Sequence, residues 1–316
     1  MPDGNAAAQR VMGNAKAFRD LGYDTFFIGL SSNNKCINKV SEYENFNFVN
    51  LRYPESFKDW VTHLSSIKSY KKYLVKQPDI IIAYNFPAIA LNKLLKWCNR
   101  NKLPIIADCT EWYQAKGNFV FRMIKEFDIW YRMKILHPKM NGMIAISDYL
   151  YNYYSKKMNN VVNVPPLVDL SMDKWNNYEI SKNDFINIVF AGSFGRGNKE
   201  RFDKVIEVLS QIKNENENIL FILTVVGETR EKYLKIFLTD IPSNLTENIC
   251  FKGRLSHTNT IKEIKKADFV LFLREDNLVN NAGFPTKFVE AIAAGTPVLT
   301  NSTSNIKDYL LIGKYG

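Results

Sequence analysis

Residues 283–296 read Gly-Phe-Pro-Thr-Lys-Phe-Val-Glu-Ala-Ile-Ala-Ala-Gly-Thr and lie between two apolar runs, Asp268–Leu273 and Pro297–Thr300. The pattern predicts a strand, a turn that opens into a short helix, and a second strand after the glycine that ends the helix. Such a unit directs free backbone N–H groups and the positive end of a helix dipole towards the space above a sheet. The stretch is therefore typical of an α/β fold.

Two charged side chains make this stretch a candidate binding site. Lys287 adds a positive charge in the first turn of the predicted helix, and Glu290 follows three residues later. A phosphate with a hydroxylated group beside it suits this arrangement. An ordinary amphipathic helix packed on a sheet explains the same residues, so the stretch alone leaves both interpretations open.

The rest of the chain alternates apolar strands with helical segments, which predicts parallel sheets joined by crossover helices. Because 316 residues exceed the usual size of one core, we expect two domains, residues 1–168 and 185–316, joined by a polar linker over residues 169–184. The predicted strands are Thr25–Leu30, Phe46–Asn50, Asp79–Tyr84, Pro104–Asp108, Gly142–Ser147, Phe185–Ala191, Ile219–Val226, Asn248–Lys252, Asp268–Leu273 and Pro297–Thr300. The predicted helices include Ala6–Leu21, Ser56–Lys76, Ala88–Asn101, Phe119–Leu136 and Phe202–Ile212. Two Rossmann-like domains facing a cleft would place ligands outside the carboxyl ends of both sheets.

The two ends of the chain differ from a typical domain of this kind. A loop at residues 2–5 leads directly into the first predicted helix, whereas such a domain normally opens with a buried strand. The chain stops just after a last helical turn at Tyr309–Gly316. We therefore expect a protein shortened at both ends relative to a complete two-domain enzyme.

Composition excludes several classes of site. The four cysteines are scattered without paired spacing, which indicates a reducing compartment rather than a disulfide framework or a zinc site. No run approaches the ~18 apolar residues of a membrane span. The chain has no Asp-x-Asp pair, and its three histidines lack metal-ligand spacing, so we expect neither a metal nor a cofactor. The sequence predicts a soluble, cytoplasmic protein.

Charge is concentrated in the first part of the chain. Residues 1–183 carry a net charge of +9, against +1 for residues 184–316. Lys68, Lys71, Lys72 and Lys76 are spaced to share one face of a predicted helix. This face is either solvated or attracted to an anionic surface. Because no nucleic-acid-binding motif accompanies the charge, peripheral contact with the inner face of the cell membrane is the preferred alternative, and nucleic acid is not an expected partner.

Two loops in the second half suit a phosphorylated ligand. Residues 191–199 read Ala-Gly-Ser-Phe-Gly-Arg-Gly-Asn-Lys and place Arg196 and Lys199 before a predicted helix, where glycines let the backbone approach a diphosphate. The other loop contains Gly253 and Arg254, which suit a nucleobase edge and a phosphate. A plain turn and an ordinary strand-to-helix connection remain open as alternatives.

A third candidate site follows a buried strand in the first half. Asp108 and Glu111 are three residues apart, with Trp112 and Tyr113 beside them. Carboxylates bind sugar hydroxyls and aromatic rings stack on the apolar face of a sugar, so this run suits a sugar. A helix N-cap at Asp108, with Glu111 as its capping-box partner, accounts for the same residues.

Together these runs resemble glycosyltransferase family 4, whose members are retaining enzymes of the two-domain GT-B fold. The resemblance covers nearly the whole chain, and residues 283–296 are similar to the form found in bacterial enzymes that build capsular, O-antigen or other exported polysaccharides. The residues that carry it are Gly4, Asp108–Tyr113, Ile144–Ser147, Pro165–Asp169, Gly192–Lys199 and Gly283–Thr296. The family usually has two glutamates separated by seven residues. Here the second is Glu290 but the first position is Ala282, which leaves Asn280 or Asn281 as substitutes.

The resemblance implies transfer of a sugar from a nucleotide-diphosphate sugar to a glycan or lipid-linked acceptor, without a metal and with retained configuration. It implies catalytic roles for Arg196, Lys199 and Glu290, with front-face displacement assisted by the departing phosphate. The implied donor-binding residues are Gly192, Ser193, Gly195, Gly253, Arg254, Phe284, Pro285, Thr286 and Lys287, and the implied acceptor-binding residues are Gly4, Asp108, Glu111 and Trp112. Two alternatives stay open: an inactive shortened homologue that binds a nucleotide or a partner, and a nucleotide-sugar epimerase of the same fold.

Overall fold

The computed structural model describes residues 6–31, 37–74, 78–115, 117–176, 184–194 and 200–309. The strands in these ranges are β1 Phe26–Ser31, β2 Val40–Tyr43, β3 Phe46–Arg52, β4 Ile81–Tyr84, β5 Ile105–Cys109, β6 Gly142–Ala145, β7 Val161–Asn163, β8 Ile186–Ala191, β9 Phe221–Val226, β10 Ile249–Gly253, β11 Phe269–Leu271 and β12 Val298–Leu299. The helices are α1 Ala6–Asp20, α2 Phe57–Ser65, α3 Lys68–Lys71, α4 Ala88–Arg100, α5 Phe119–Trp130, α6 Asp148–Ser155, α7 Phe202–Glu215, α8 Arg230–Phe237, α9 His257–Lys266, α10 Leu278–Ala282 and α11 Thr286–Ala294. Every predicted strand and helix overlaps one of these elements.

The chain divides into two compact units. In its described part, the first unit combines Asn14–Pro165 with the short segment Asn281–Phe284. The second unit combines residues 166–280, residues 285–309 and the beginning of α1 up to Gly13. Each unit therefore contains more than one segment of the chain. The domain boundaries at residues 168 and 185 stay a prediction.

The second unit is built on one five-stranded parallel sheet in the order β10-β9-β8-β11-β12. Apolar strand residues such as Val189, Leu223 and Val270 are fully buried, as expected for a sheet covered on both faces. The chain adds β9 and β10 on one side of β8, and then β11 and β12 on the other. The order thus reverses between β8 and β11, which is the point where doubly wound sheets bind ligands.

The first unit contains two smaller sheets. One has the order β1-β3-β2, with β2 antiparallel, and the other is the parallel sheet β4-β5-β6-β7. The apolar side of α4, including Leu91, Leu94 and Cys98, is buried. Sequence patterns did not predict the short strands β2 and β7. Both are brief and carry few apolar residues, so their pairing depends on the neighbouring strand.

One predicted helix, Ser56–Lys76, is wrong as a continuous element. Ser56 caps α2 through a capping box with Asp59, but Ser66 adopts an extended conformation that ends the helix. Ser65 donates its hydroxyl to the Val61 carbonyl at 2.6 Å, and Ser66 accepts the Lys68 amide at 3.2 Å. Serine side chains compete in this way with helical hydrogen bonds. The expected helix face does not continue to Lys72, because the short α3 ends at Lys71. The fourth lysine of that face, Lys76, lies outside the described residues.

Candidate functional site

Three glycines lie at the carboxyl ends of neighbouring strands in the second unit. The Gly192 amide donates to the Val226 carbonyl at 2.8 Å, and the Gly227 amide donates to the Gly253 carbonyl at 2.7 Å. All three have positive φ, and a Cβ on Gly227 would lie 2.4 Å from the Gly192 carbonyl oxygen. Glycine is thus required for this close approach of β8, β9 and β10. Gly192 and Gly253 were predicted as site residues, whereas Gly227 was missed although it directly follows an apolar strand.

Lys287 extends from the first turn of α11 to the Gly192 backbone. A Cβ on Gly192 would lie 2.6 Å from Cε of Lys287. The Lys287 Nζ lies 3.1 Å from Oε2 of Glu200 and 4.1 Å from the ring centroid of Phe190. Only 13% of the lysine side chain is exposed. Burial lowers the pKa of Lys287, and the Glu200 carboxylate opposes that shift.

Arg274, three residues beyond β11, is a second buried cation beside the same carboxylate. Its Nε lies 4.0 Å from Oε1 of Glu200, and its Nη2 donates to Oδ1 of Asn280 at 2.9 Å. Asn301 binds both the backbone amide and the carbonyl of Arg274, which fixes the loop. Among the residues that the structure describes, Nη1 of Arg274 has no hydrogen-bond partner. Burial lowers the pKa of Arg274, and Glu200 again opposes the shift.

We call the group of Lys287, Arg274 and Glu200 the buried cation cluster. Its two positive charges against one negative charge leave a net charge of +1. The loops after β8 and β11 carry two of its members, and an antiparallel bridge joins the backbones of Glu200 and Arg274. The first turn of α11 adds backbone N–H groups and the positive end of its dipole. A phosphate bound there would supply the negative charge that this cluster lacks.

Glu290 lies one turn further along α11 and is held by His257 at the start of α9. The Nε2 of His257 is 3.2 Å from Oε1 of Glu290, and its Nδ1 is 3.3 Å from Nζ of Lys174. This geometry suits an imidazole whose Nε2–H donates to the carboxylate while Nδ1 accepts from the lysine. The sequence pattern gave no role to His257, since Glu290 is 33 positions away and meets it only through the fold. Glu290 is therefore a fixed carboxylate with part of its side chain still accessible.

Residues 280–282 include Ala282, which stands where the resembled family usually has a glutamate. Ala282 is fully buried. Asn280 is also fully buried, and besides accepting from Arg274 its amide donates to the Glu275 carbonyl at 2.8 Å. Asn280 thus holds the loop that presents Arg274. Asn281 is half-buried.

The remaining predicted donor residues differ in accessibility. Ser193 and Arg254 are exposed, Thr286 is half-buried, and Pro285 is buried at the N-cap position of α11. Phe284 is buried and belongs to the first unit. The predicted residues Gly195, Arg196 and Lys199 lie outside the described residues.

The predicted acceptor residues of the first unit follow β5. Asp108 is buried and accepts a hydrogen bond from Nδ2 of Asn14 at 3.2 Å. Glu111 is half-buried, and Trp112 packs edge-on against Tyr153 with Nζ of Lys134 5.1 Å from its ring centroid. Gly4 lies outside the described residues.

The alternative of a helix cap at Asp108 is wrong. Residues 110–115 form no helix, and the next helix, α5, is capped instead by Asn118, whose side chain accepts the Phe121 amide. The polar groups of Asp108 and Glu111 are thus not used to begin a helix. Within the described residues, no group of three or more His, Cys, Asp or Glu side chains could hold a metal ion.

Comparison with known families and proteins gives one family match. Residues 173–316 match the family described as glycosyl transferases group 1. This region contains the buried cation cluster and the His257–Glu290 pair. It also contains the three glycines at the carboxyl ends of β8, β9 and β10, which we call the glycine edge. No curated protein matches the sequence.

Several solved structures share the fold. Sucrose-phosphate synthase (tll1590) from Thermosynechococcus elongatus has a TM-score of 0.68 and 14% identity, over 95% of this chain and 77% of that one. Anabaena Alr3699/HepE in complex with UDP and glucose has a TM-score of 0.61 and 12% identity, over 97% and 80%. The UDP-GlcNAc 2-epimerase from Methanocaldococcus jannaschii has a TM-score of 0.55 and 14% identity, over 95% and 83%. The expected α/β fold of the GT-B type, with two Rossmann-like domains, is confirmed.

Proposed function

We propose that this protein is a glycosyltransferase that moves a sugar from a nucleotide-diphosphate sugar to a glycan or lipid-linked acceptor, since residues 173–316 match the family described as glycosyl transferases group 1. We further propose that the product is a surface polysaccharide and that the acceptor is reached at the cytoplasmic face of a membrane. The observation that carries the donor assignment is the buried cation cluster at the switch point of the sheet.

Leaving-group stabilisation is the main catalytic contribution in this proposal. When the bond between the anomeric carbon and the phosphate oxygen breaks, negative charge develops on the diphosphate. Lys287 and Arg274 are already buried and oriented, so they stabilise that charge without reorganising. Arg196 and Lys199 are proposed to bind the same diphosphate, as the family resemblance implies.

Nucleoside binding is assigned to the neighbouring polar groups. Glu290, oriented by His257, is proposed to accept hydrogen bonds from the ribose hydroxyls. The half-buried backbone at Gly253 and the exposed side chain of Arg254 are proposed to contact the base and a phosphate. The carboxylate of Glu290 is accessible and correctly spaced from Lys287, one helical turn away, to contact a ribose while the lysine contacts the adjoining phosphate.

The acceptor is assigned to the polar and aromatic residues that follow β5. Asp108 and Glu111 are proposed to bind acceptor hydroxyls, with Trp112 providing an apolar ring surface and Gly4 lining the site. We propose front-face displacement with retained configuration and without a metal ion, as the family resemblance implies. Anabaena HepE, which shares the fold, was solved with UDP and glucose, in keeping with a sugar-nucleotide donor.

The test is a panel of UDP-, GDP- and dTDP-sugars incubated with the purified protein and with glycan or lipid-linked acceptors. We expect one donor to release its nucleoside diphosphate in the presence of an acceptor, and EDTA to leave the rate unchanged. Lys287→Gln should lower the rate by about 10- to 100-fold, the scale of one lost charge-assisted contact in a transition state. The matched control is Lys262→Gln, which changes an exposed lysine of α9 in the same unit.

The same panel separates the alternatives. Isomerised sugar from a donor incubated alone would favour an epimerase, the activity in the name of one structure with this fold. Binding of a nucleotide without release or isomerisation would favour an inactive binding protein. If no nucleotide binds, the proposed function is wrong.

A further inference from the structure

Helix α5 exposes a broad apolar face. Phe119, Val120, Met123, Ile124, Phe127 and Trp130 are between 51% and 67% exposed. At 100° per residue these side chains cover one continuous side of the helix, roughly 140° wide. None of the residues of α5 is buried. An exposed apolar face of this size is typical of a surface that binds a partner or a membrane.

The opposite side of α5 is charged. Arg122 and Lys125 lie there beside the exposed Phe121, and both cations stay close to aromatic rings of the same helix. Glu126 borders the apolar face. Two hydrogen bonds hold the end of this helix: Asp128 accepts the Ala88 amide at 2.7 Å, and Arg132, two residues beyond α5, donates to the Phe86 carbonyl at 3.4 Å. Helix α5 is therefore an amphipathic element that is anchored beside the start of α4.

A second helix has the same character. Helix α2 has no buried residue, and its apolar side chains Phe57, Trp60, Val61 and Leu64 are all exposed. At helical spacing these four residues fall on one face. Both α2 and α5 pack against α4 in the first unit. The first unit thus carries two amphipathic helices with uncovered apolar faces, and both contact α4.

The charge of this region is strongly positive. Residues 57–139 contain 15 Lys and Arg against six Asp and Glu, a net charge of +9 out of +10 for the whole chain. On α4, the side chains Lys93, Lys96 and Arg100 are exposed at helical spacing. Apolar helix faces flanked by lysine and arginine match the chemistry of an anionic bilayer, which offers acyl chains and negative headgroups at the same surface.

We propose that the apolar faces of α5 and α2 insert into the interfacial region of an anionic phospholipid bilayer. The helices would lie in the plane of the membrane surface, with Trp130 and Trp60 near the headgroups and the cations contacting phosphates. This mode fits the length of the elements, because no helix in the described ranges is long and apolar enough to cross a membrane. The proposal rests on the proposed function only in giving the transferase access to a lipid-linked acceptor.

The experiment is flotation of the purified protein with vesicles of phosphatidylcholine, with and without phosphatidylglycerol. We expect binding that requires phosphatidylglycerol and weakens as salt increases. The double variant Met123→Glu with Ile124→Glu should bind at least about tenfold more weakly, because each change removes inserted apolar surface and adds a repelled charge. Arg122→Gln with Lys125→Gln should reduce the dependence on phosphatidylglycerol.

The matched control is Val208→Glu with Ile212→Glu, which places the same charges at exposed apolar positions of α7 in the second unit. Circular dichroism and thermal unfolding should be unchanged in both double variants, since the altered residues are exposed. The proposal is overturned if the wild type does not float, or if both double variants lose binding equally. It is also overturned if Met123→Glu with Ile124→Glu converts a dimer to a monomer without changing flotation.

Nucleotide binding, measured on the same samples, separates the two claims. We expect the α5 variant to bind nucleotide as the wild type does. Flotation without any nucleotide binding would support the proposed membrane surface and contradict the proposed donor site. Nucleotide binding without flotation would support the donor site and contradict the proposed membrane surface.

Discussion

At the scale of single residues, the buried cation cluster is the most informative feature of this protein. Burying a charge is costly unless it is paired, and Lys287 and Arg274 share one glutamate. Burial lowers the pKa of both cations, because the charged forms lose hydration there. A bound diphosphate would offset this cost, which is why we propose the cluster as the site of the diphosphate.

Gly192→Ala tests the contact between the glycine edge and Lys287. The added Cβ would meet the lysine side chain at 2.6 Å, and the φ of +146° is strained for alanine. We expect a loss of about 1–3 kcal/mol in the free energy of unfolding and at least about tenfold weaker nucleotide binding, measured by denaturation and calorimetry. The control is Gly22→Ala, whose φ is +86° but whose Cβ would contact nothing within 4 Å. It should lose stability and keep nucleotide affinity; equal loss of affinity in both variants would contradict the site.

The lowered pKa of Lys287 predicts opposite effects of pH on stability and on binding. Because the folded-state pKa lies below 10.5, the contribution of Lys287 to the free energy of unfolding is fully present above pH 10.5 and is lost as pH falls through the lowered pKa. A bound diphosphate favours the charged lysine, so nucleotide affinity should fall as pH rises through the same range. Calorimetry in buffers of different ionisation enthalpy should then detect proton uptake on binding. Lys287→Gln should remove this uptake; uptake that persists in the variant would assign it to another group.

At the scale of elements, the sequence predicted the helix of residues 283–296 well because its signals are local. Gly295 adopts φ of +75° and ends α11 in a Schellman motif, in which the amides of Gly295 and Thr296 donate to the Ile292 and Ala291 carbonyls. A glycine after an amphipathic run encodes that ending directly. The partners of Lys287 could not be predicted in the same way, since Glu200 is 87 positions distant and meets it only through the fold.

The pair of α9 and α11 gives a second prediction about the site. His257→Ala should weaken binding of the preferred ribonucleoside diphosphate by about 0.5–2 kcal/mol, because Glu290 loses the group that orients it. If Glu290 contacts the ribose, His257→Ala and Glu290→Ala should both reduce the preference for the ribonucleotide over its 2′-deoxy form. Calorimetry with both nucleotides measures that preference. An unchanged preference in both variants would remove Glu290 from the ribose site.

The buried His137, which follows α5, leads us to expect that the free energy of unfolding falls at low pH. His137 is buried after a π-helical turn, Tyr131–Leu136, and its Nδ1 lies 3.0 Å from the Tyr154 hydroxyl. Burial, and then the nearby Arg132, lower the pKa of His137 to about 3. Since the unfolded chain binds this proton near pH 6.5, the stability contributed by neutral His137 is present above pH 6.5 and is lost as pH falls towards 3. His137→Gln should have a flatter stability profile between these values, measured by urea unfolding; an identical acid limb would refute the assignment.

At the scale of the whole molecule, a resemblance to a known family predicted the match that residues 173–316 show. Alternating strand and helix patterns in both halves predicted the α/β class. They did not predict that each unit takes in several chain segments, such as Asn281–Phe284 in the first unit. The exposed apolar faces of α2 and α5 were also missed, since an amphipathic helix has the same pattern whether its apolar side meets a core or a membrane. The excess of positive charge in residues 1–183 was evident from the sequence. Most of that excess lies in the first unit.

We propose that the second unit binds a nucleotide-diphosphate sugar through the buried cation cluster. Isothermal titration calorimetry of UDP, GDP, dTDP and their sugars against wild type, Lys287→Gln and Arg274→Gln tests it most directly, with Lys262→Gln as the control. We predict that one nucleotide binds the wild type and the control equally. Each cluster variant should lose about 1–3 kcal/mol of binding free energy, the scale of one charge-assisted hydrogen bond. Equal affinity in all four proteins, or no binding of any nucleotide by the wild type, would contradict the account.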